Sequence, residues 1–461
     1  MGLEPEHESA WRQAAEAAIA YRRGIDARVQ RPEAVYREAL EAFDAPLADA
    51  GQPPDAVVRD LIARSGPGLS GTTGPRFFGW VIGASHPVGV AADWLTAAWG
   101  QNAGNHVAAP AAAAAETVAA RWLLDLLGLP AQASVGFVTG ATMANVVGLA
   151  AARGEVLRRA GWDVEADGLF GAPPISVLIG EDAHATVFSA LQFLGLGHNR
   201  VIRVPTTEQG AMDADAFEAA LAACTGPSIV ITQAGQINTG AFDPHDRIVP
   251  LARARGAWVH VDGAFGLWAR ACPARAHLGA GIEAADSWAT DGHKWLQTPY
   301  DCGYAIVRDA EAHRRAMTIA ASYLPPVAEG ERDPSHYVPE LSRRARGFAT
   351  WAMIRHLGRQ GVADMVERHC RLARRMAAAL ADDPRIAVLN DVVLNQVVVR
   401  FGDDDEFTLR VIRRVQEDGT CFAGGANWRG RWVMRLSVIG ATTEADADLS
   451  VAAIRRTLDA A

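Results

Sequence analysis

Ala284–Val307 reads AADSWATDGHKWLQTPYDCGYAIV: a short apolar run, a turn carrying His293, Lys294 and Trp295, then a second apolar run. Short apolar runs bounded by turn signals are consistent with buried strands. A lysine set among apolar and aromatic residues is costly to bury as a cation, and such a lysine is a potential amine nucleophile. Upstream, WVHVDGAFG (Trp258–Gly266) is another apolar run, and it ends in an acid, Asp262.

The same alternation extends further upstream. SVGFVTG leads into ATMANVVGLAAARGEVLRRAG, ISVLIG into EDAHATVFSALQFLG, and SIVITQAG, through a loop, into DPHDRIVPLARARG. Repeated strand–helix units predict an α/β fold, with a mostly parallel sheet flanked by helices. Ligands of such sheets bind outside the carboxyl ends of the strands. Thr139, Thr142, His184, Gln236, Asp262, His293 and Lys294 all fall at such ends.

Around this body the pattern changes. Residues 1–64 show apolar positions at three- and four-residue spacing and read as a helical arm, which buries little by itself. Residues 65–87, SGPGLSGTTGPRFFGWVIGASHP, read as a glycine-rich loop; Phe77, Phe78 and Trp80 favour burial, as a wall of a site rather than a surface connector. Two apolar helices then flank a polar kink holding Asn102, Asn105 and His106, either helix caps or groups presented to a substrate. A second polar loop, 329–342, carries His336 and Tyr337. The main domain is expected over 65–345. A small α+β domain is expected over 346–461, bridged by a long helix near 343–361. Its strands are expected in VVLNQVVVRF and RWVMRLSVI.

Composition narrows the function. With 461 residues, 49% hydrophobic and 21% charged, the chain is of ordinary globular type. A formal net charge of −9 argues against nucleic acid or an anionic membrane as partner. No stretch reads as a membrane span or a secretory signal. The five cysteines have no paired spacing, so neither a disulfide framework nor a zinc site is expected. A cytoplasmic protein without a bound metal is the expectation.

A buried lysine and a strand-end acid together suggest pyridoxal 5′-phosphate (PLP). That cofactor needs a lysine amine, an acid on its pyridine nitrogen, a group stacked on its ring, a phosphate cradle and a proton donor near Cα. Lys294 and Asp262 meet the first two needs. His184 follows the strand SVLIG and either stacks on the ring or bonds its own helix start. TGATMAN (Thr139–Asn145) is a strand-to-helix turn whose free N–H groups suit a phosphate. His293 stands next to the lysine, within reach of the same phosphate.

HVDGAFG, DGHKW with the following YDCG, EDAHATV and FFGWVIGASHP together resemble the group II PLP-dependent decarboxylases, which act on aromatic amino acids, glutamate and histidine. The resemblance spans about residues 74–350 and implies the PLP fold type I, with a seven-stranded-type sheet. It implies that Lys294 forms the Schiff base, that Asp262 pairs with the pyridine nitrogen and that His184 stacks on the ring. Ala141 and Thr142 would contact the phosphate, Ala264 would lie under the ring, and His293 and Gln236 would complete the cofactor contacts. It also implies a homodimer with a shared active site, into which the arm and the 101–106 kink reach.

The chain departs from that family in places. Asp291-Gly292 replaces the usual Asn-Pro before His-Lys; an aspartate there would repel a phosphate, so either it turns away or the phosphate contact is lost. Gln236 stands where threonine is common. The tyrosine that protonates Cα is matched by Tyr337, with His336 and Tyr323 as rivals. A substrate pocket is expected at Trp80, Val81, Gly83, Asn102, Asn105 and His106. Arg435 is either a partner for the substrate carboxylate or a surface arginine. The polar kink favours a small or polar L-amino acid over a large aromatic one. The expected reaction is decarboxylation to an amine, carried by Lys294. The alternatives are an aldehyde synthase and a same-fold transaminase, C–C lyase or condensing enzyme.

Overall fold

The structure is a computed structural model that describes residues 2–318, 328 and 330–460. Its centre is a seven-stranded sheet of β1 (Ser134–Val138), β2 (Ser176–Gly180), β3 (Ile202–Val204), β4 (Ser228–Gln233), β5 (Trp258–Asp262), β6 (Ser287–Asp291) and β7 (Gly303–Val307), in the spatial order β1-β7-β6-β5-β4-β2-β3. Neighbours from β6 through β3 are parallel, and β7 runs antiparallel to both β1 and β6. The expected α/β fold is therefore present, with one reversed strand. Strands β1, β4, β5, β6 and β7 are buried at every position, which is why they read as continuous apolar runs and not as alternation.

Helices cover the sheet. Before it come the arm, α1 (Pro5–Gly24), α2 (Tyr36–Phe43) and α3 (Pro54–Ser65), and the pair α4 (Pro87–Trp99) and α5 (Pro110–Leu126). Within it lie α6 (Ala141–Arg159), α7 (Val164–Asp167), α8 (Ala185–Phe193), α9 (Ala214–Ala222), α10 (His245–Ala254) and α11 (Ala310–Met317). The long α12 (Gly347–Ala381), broken at Gly358, carries the chain onward. Its first half packs in the same core as the sheet, through Met353, Ile354 and Val366. From Leu372 it packs in a second core with Val397, Val411, Leu436 and Ile454.

That second core sits on a four-stranded antiparallel sheet, β10-β11-β9-β8, with α13 (Asp405–Asp418) and α14 (Glu444–Asp459). Its strands are β8 (Ile386–Val388), β9 (Gln396–Phe401), β10 (Gly424–Trp428) and β11 (Arg431–Ser437). Two of these four strands carry no clear sequence signal, and neither does the three-residue β3 of the large sheet. β8 is only three residues long, and β10 begins Gly-Gly, which reads as a turn. Strand β9 also starts four residues later than VVLNQVVVRF suggested.

One buried ion pair ties the loop before α12 to the main body. Arg343 donates to Glu116 on α5 (2.6 Å), with the two side chains 1% and 0% exposed. The same guanidinium donates to the carbonyls of Ala103 (3.0 Å) and Phe137 (2.6 Å). Removing one partner of a buried pair leaves an uncompensated charge. Arg343→Ala is expected to cost about 3–5 kcal/mol by chemical denaturation. Arg343→Met with Glu116→Leu should recover most of that loss, and a double variant no better than the single would show that the pairing is not what holds this loop.

Candidate active site

The carboxyl ends of β1, β4, β5 and β6 surround a cavity of about 380 Å³. Thr139, Gly140, Ala141 and Thr142 line it from the start of α6, His184 and Thr186 from the start of α8, and Asp262, Ala264 and Phe265 from the turn after β5. Asp291, His293, Lys294 and Tyr300 line it from the turn after β6. Adjacent parallel strands bring the key groups together: Asp262 pairs in register with Ala289, two residues before the end of β6.

Asp262 is 5% exposed and accepts the Ala264 N–H at 3.2 Å. Burial raises its pKa, and the neighbouring His184 and Lys294 pull the other way. A carboxylate buried at a cavity floor calls for a cationic or N–H partner, which a protonated pyridine nitrogen supplies. His184 bonds its own helix start and also lines the cavity. Nδ1 accepts the Thr186 N–H (3.4 Å) as the N-cap of α8 and pairs with the Thr186 hydroxyl (2.7 Å), while the ring lines the cavity. Burial lowers its pKa, so it stands as a neutral ring. Because Nδ1 accepts, this hydrogen-bond network assigns the proton to Nε2.

Lys294 is the only lysine in the chain, a signal present in the sequence itself; every other side-chain cation of the Lys/Arg type is arginine. It sits in a single turn of π-helix, Gly292–Leu296, with Nζ 3.0 Å from Asp291 Oδ2. Asp291 does not turn away from the start of α6. Its Oδ1 accepts the N–H of Ala141, the first residue of α6, at 2.5 Å. His293 accepts the Cys302 N–H on Nδ1 (3.2 Å), and its Nε2 is 3.4 Å from Asp291. Burial lowers the His293 pKa.

Tyr300 was not singled out from sequence. Its ring lies 4.4 Å from that of His293, and burial, followed by the Asp291 charge, pushes its pKa up to about 12. The cavity wall it lines therefore carries a protonated phenol. Thr139, Thr186, Gln233, Gly235, Ile237 and Phe265 also line the cavity; only their strand-end positions marked them beforehand.

Other expected site residues stand elsewhere in the chain. Gln236 is not on the cavity wall: its Oε1 accepts from Asn238 (2.6 Å) and Thr239 (3.1 Å), bracing its own loop. Arg435 donates to the Ile237 carbonyl and to Asn238 Oδ1, both at 3.2 Å, just behind that wall. Burial lowers its pKa to about 10, which leaves it a cation at neutral pH. Asn102 accepts from the Arg343 N–H (2.9 Å), Asn105 caps Ala108 (2.8 Å), and His106 bonds Asp333 (2.6 Å). The polar kink is thus tied to the 331–343 loop and away from this chain's own cavity. Tyr337 packs edge-on to His313 with Arg332 over its ring, and His336 lies 3.9 Å from Asp333; neither lines the cavity of its own chain. Tyr323 lies outside the described residues.

The 77–84 loop supports the lysine from behind. Phe77 stacks on Phe422 of the second core's side (4.8 Å), and Trp80 is 57% exposed beside them. Val81 is buried in the main core, in the left-handed region that a β-branched residue rarely adopts. A side chain on Gly83 would lie 2.0 Å from the Lys294 carbonyl and 2.1 Å from that of His293. Gly83 therefore backs directly onto the lysine turn, and neither it nor Trp80 nor Val81 lines this cavity. Gly83→Ala is expected to displace that turn, lowering both the melting temperature and the visible absorbance of lysine-bound cofactor; a variant unchanged in both would refute the buttress.

The donor set fits PLP. One amine, Lys294, two buried carboxylates, Asp262 and Asp291, two imidazoles, His184 and His293, and a helix N-terminus all face one cavity, and no group of potential metal ligands occurs among the described residues. The comparisons agree. The pyridoxal-dependent decarboxylase conserved domain matches residues 37–401. The chain is 29% identical to aromatic-L-amino-acid decarboxylase of Sus scrofa over 448 residues, covering 92% of this chain and 90% of that one. Its fold is shared with the crystal structure of Oryza sativa TDC with PLP and tryptamine, at a TM-score of 0.93 and 23% identity over 100% and 99% of the two chains. It is shared also with Rhodiola rosea 4-hydroxyphenylacetaldehyde synthase, at 0.86 and 21% over 97% of each. With its only lysine at the cavity and the domain matched across most of its length, the chain belongs to the pyridoxal-dependent decarboxylase family and is a PLP-dependent carboxy-lyase acting on an amino acid.

Proposed function

We propose that the chain decarboxylates a small or polar L-amino acid to its amine and CO2. The observation that carries the reading is the shared cavity of Lys294 and Asp262 at the ends of adjacent strands. When bound, the cofactor supplies an electron-withdrawing ring that takes up the electron pair left at Cα as CO2 departs. Lys294 supplies the amine that holds the cofactor. Asp262 would keep the ring nitrogen protonated, and His184, held by its N-cap bond, would flank the ring from α8. Ala264, small and next to Asp262, leaves room beneath. Ala141 and Thr142 offer backbone N–H groups to the phosphate. Arg435, a cation held just behind Ile237, is positioned to attract the substrate carboxylate.

The side-chain preference rests on the lining. Thr139, Thr142, Thr186, Gln233 and Tyr300 offer polar groups, against Ile237 and Phe265 as the larger apolar ones. The relatives' names point the other way, toward aromatic substrates, so a substrate panel decides. The polar kink weighs less than the sequence suggested, because Asn102 and His106 are already bonded to the 331–343 loop and Asn105 caps Ala108.

Return of a proton to Cα has two sources. Tyr300 is a protonated phenol within this chain's cavity. Tyr337 would act in the cavity of a second subunit. A homodimer is supported by the apolar face that the arm leaves exposed, at Trp11, Ile19, Tyr36, Leu40 and Phe43. An apolar groove between α4, α5 and α12, lined by Leu95, Trp99, Val118, Phe348 and Trp351, offers more such surface. Among the described residues no helix is long and apolar enough to cross a membrane.

CO2 release measured across a panel of L-amino acids tests the proposal. Highest kcat/KM on a small or polar substrate, with amine formed and no peroxide, is the expected result. Preference for tryptophan or dopa would overturn the substrate reading. Aldehyde, ammonia and peroxide formed with consumption of O2 would overturn the amine product. Lys294→Ala leaves no lysine in the chain; it should abolish the visible absorbance of bound cofactor and reduce turnover by roughly a thousandfold or more.

A further inference from the structure

The phosphate end of the cavity already contains an anion. Asp291 is 2% exposed, and its carboxylate accepts the Ala141 N–H at 2.5 Å, at the first turn of α6. The contact is built into the sheet. Gly303 pairs with Val138 at the end of β1 and with Asp291 at the end of β6. A side chain on Gly303 would sit 2.5 Å from Gly140 Cα, so only glycine lets the start of α6 close onto the end of β6. A side chain on Gly140 would itself lie 3.2 Å from Asp291 Oδ1. The Asp291 backbone is fixed too, through its N–H to the Ala264 carbonyl (2.9 Å).

A helix N-terminus favours one anion through its free N–H groups and dipole. A phosphate seated there needs the N–H that Asp291 holds, and it meets a like charge a few ångströms away. We propose that Asp291 is an internal competitor for the cofactor's phosphate: it occupies the α6 N-terminus, weakens phosphate anchoring and makes PLP exchange more readily than a neutral residue would. The proposal rests on the reading of the α6 turn as the phosphate site. Loading the cofactor moves the carboxylate off the Ala141 N–H. Because Oδ2 also pairs with Lys294 at 3.0 Å, Asp291 bears on both ends of the cofactor, and the two effects separate by comparing PLP with pyridoxal, which lacks the phosphate.

Purified holoenzyme is dialysed against graded PLP, and separately against graded pyridoxal. Retained cofactor is read by its visible absorbance, independently of turnover. Wild-type protein that binds PLP no better than pyridoxal would overturn the phosphate site and the proposal with it. Given a wild-type preference for PLP, Asp291→Asn is expected to tighten PLP about tenfold while changing pyridoxal less than about twofold. Asp291→Ser, which removes the charge with a smaller side chain, should move PLP in the same direction and guards against a folding defect in the first variant. Unchanged or weaker PLP binding in both variants would overturn the proposal. An equal gain for both ligands would also overturn it, since the effect would then act through Lys294.

Discussion

A carboxylate buried at the end of a strand cannot remain alone, and Asp262 sets the terms for everything around it. It lies at the end of β5, in a cavity whose only lysine is the only one in the protein. Two adjacent parallel strands, β5 and β6, bring acid and amine together; the reversed strand β7 brings the start of α6 to the same end through Gly303 and Gly140. Each partner is then fixed by backbone hydrogen bonds: His184 by the N-cap of α8, His293 by Cys302, and Asp291 by Ala141. A cofactor with a basic ring nitrogen, an aldehyde and a phosphate matches an acid, an amine and a helix N-terminus held in this way.

Much of this was legible in the sequence because strands buried on both faces declare themselves as apolar runs, and the residues after them fall at the ligand-binding edge. Lys294, Asp262, His184, His293, Ala141, Thr142 and Ala264 all meet at one cavity for that reason. What the sequence hid was the local bonding of polar side chains. Gln236 and Asn102 are the same residue types a binding site would use, yet each has an internal partner more than sufficient to hold it in a loop. Trp80 and Gly83 were expected on the cavity wall; the loop turns through the left-handed region at Trp80 and Val81, which leaves Trp80 exposed beside Phe422 and Gly83 behind the lysine. Tyr300 went unnoticed because a tyrosine after a proline in a turn carries no sequence mark of its ring contact with His293.

Asp291 is the residue that changes most between sequence and structure. Read as a charge near a phosphate, it is a liability. In the fold it has three partners, on Ala141, Lys294 and His293, and it is even less exposed than Asp262. An acid so bonded helps hold together the end of the sheet on which the cofactor depends, at the cost of sharing an N–H with it. Cofactor grip and local packing are thereby coupled in one side chain.

Borohydride reduction of the holoenzyme followed by peptide mass spectrometry tests the assignment of the site most directly. With a single lysine in the chain, one phosphopyridoxyl group per subunit, carried on the peptide containing Lys294, is the expected result. No adduct, or an adduct confined to the amino terminus, would contradict it.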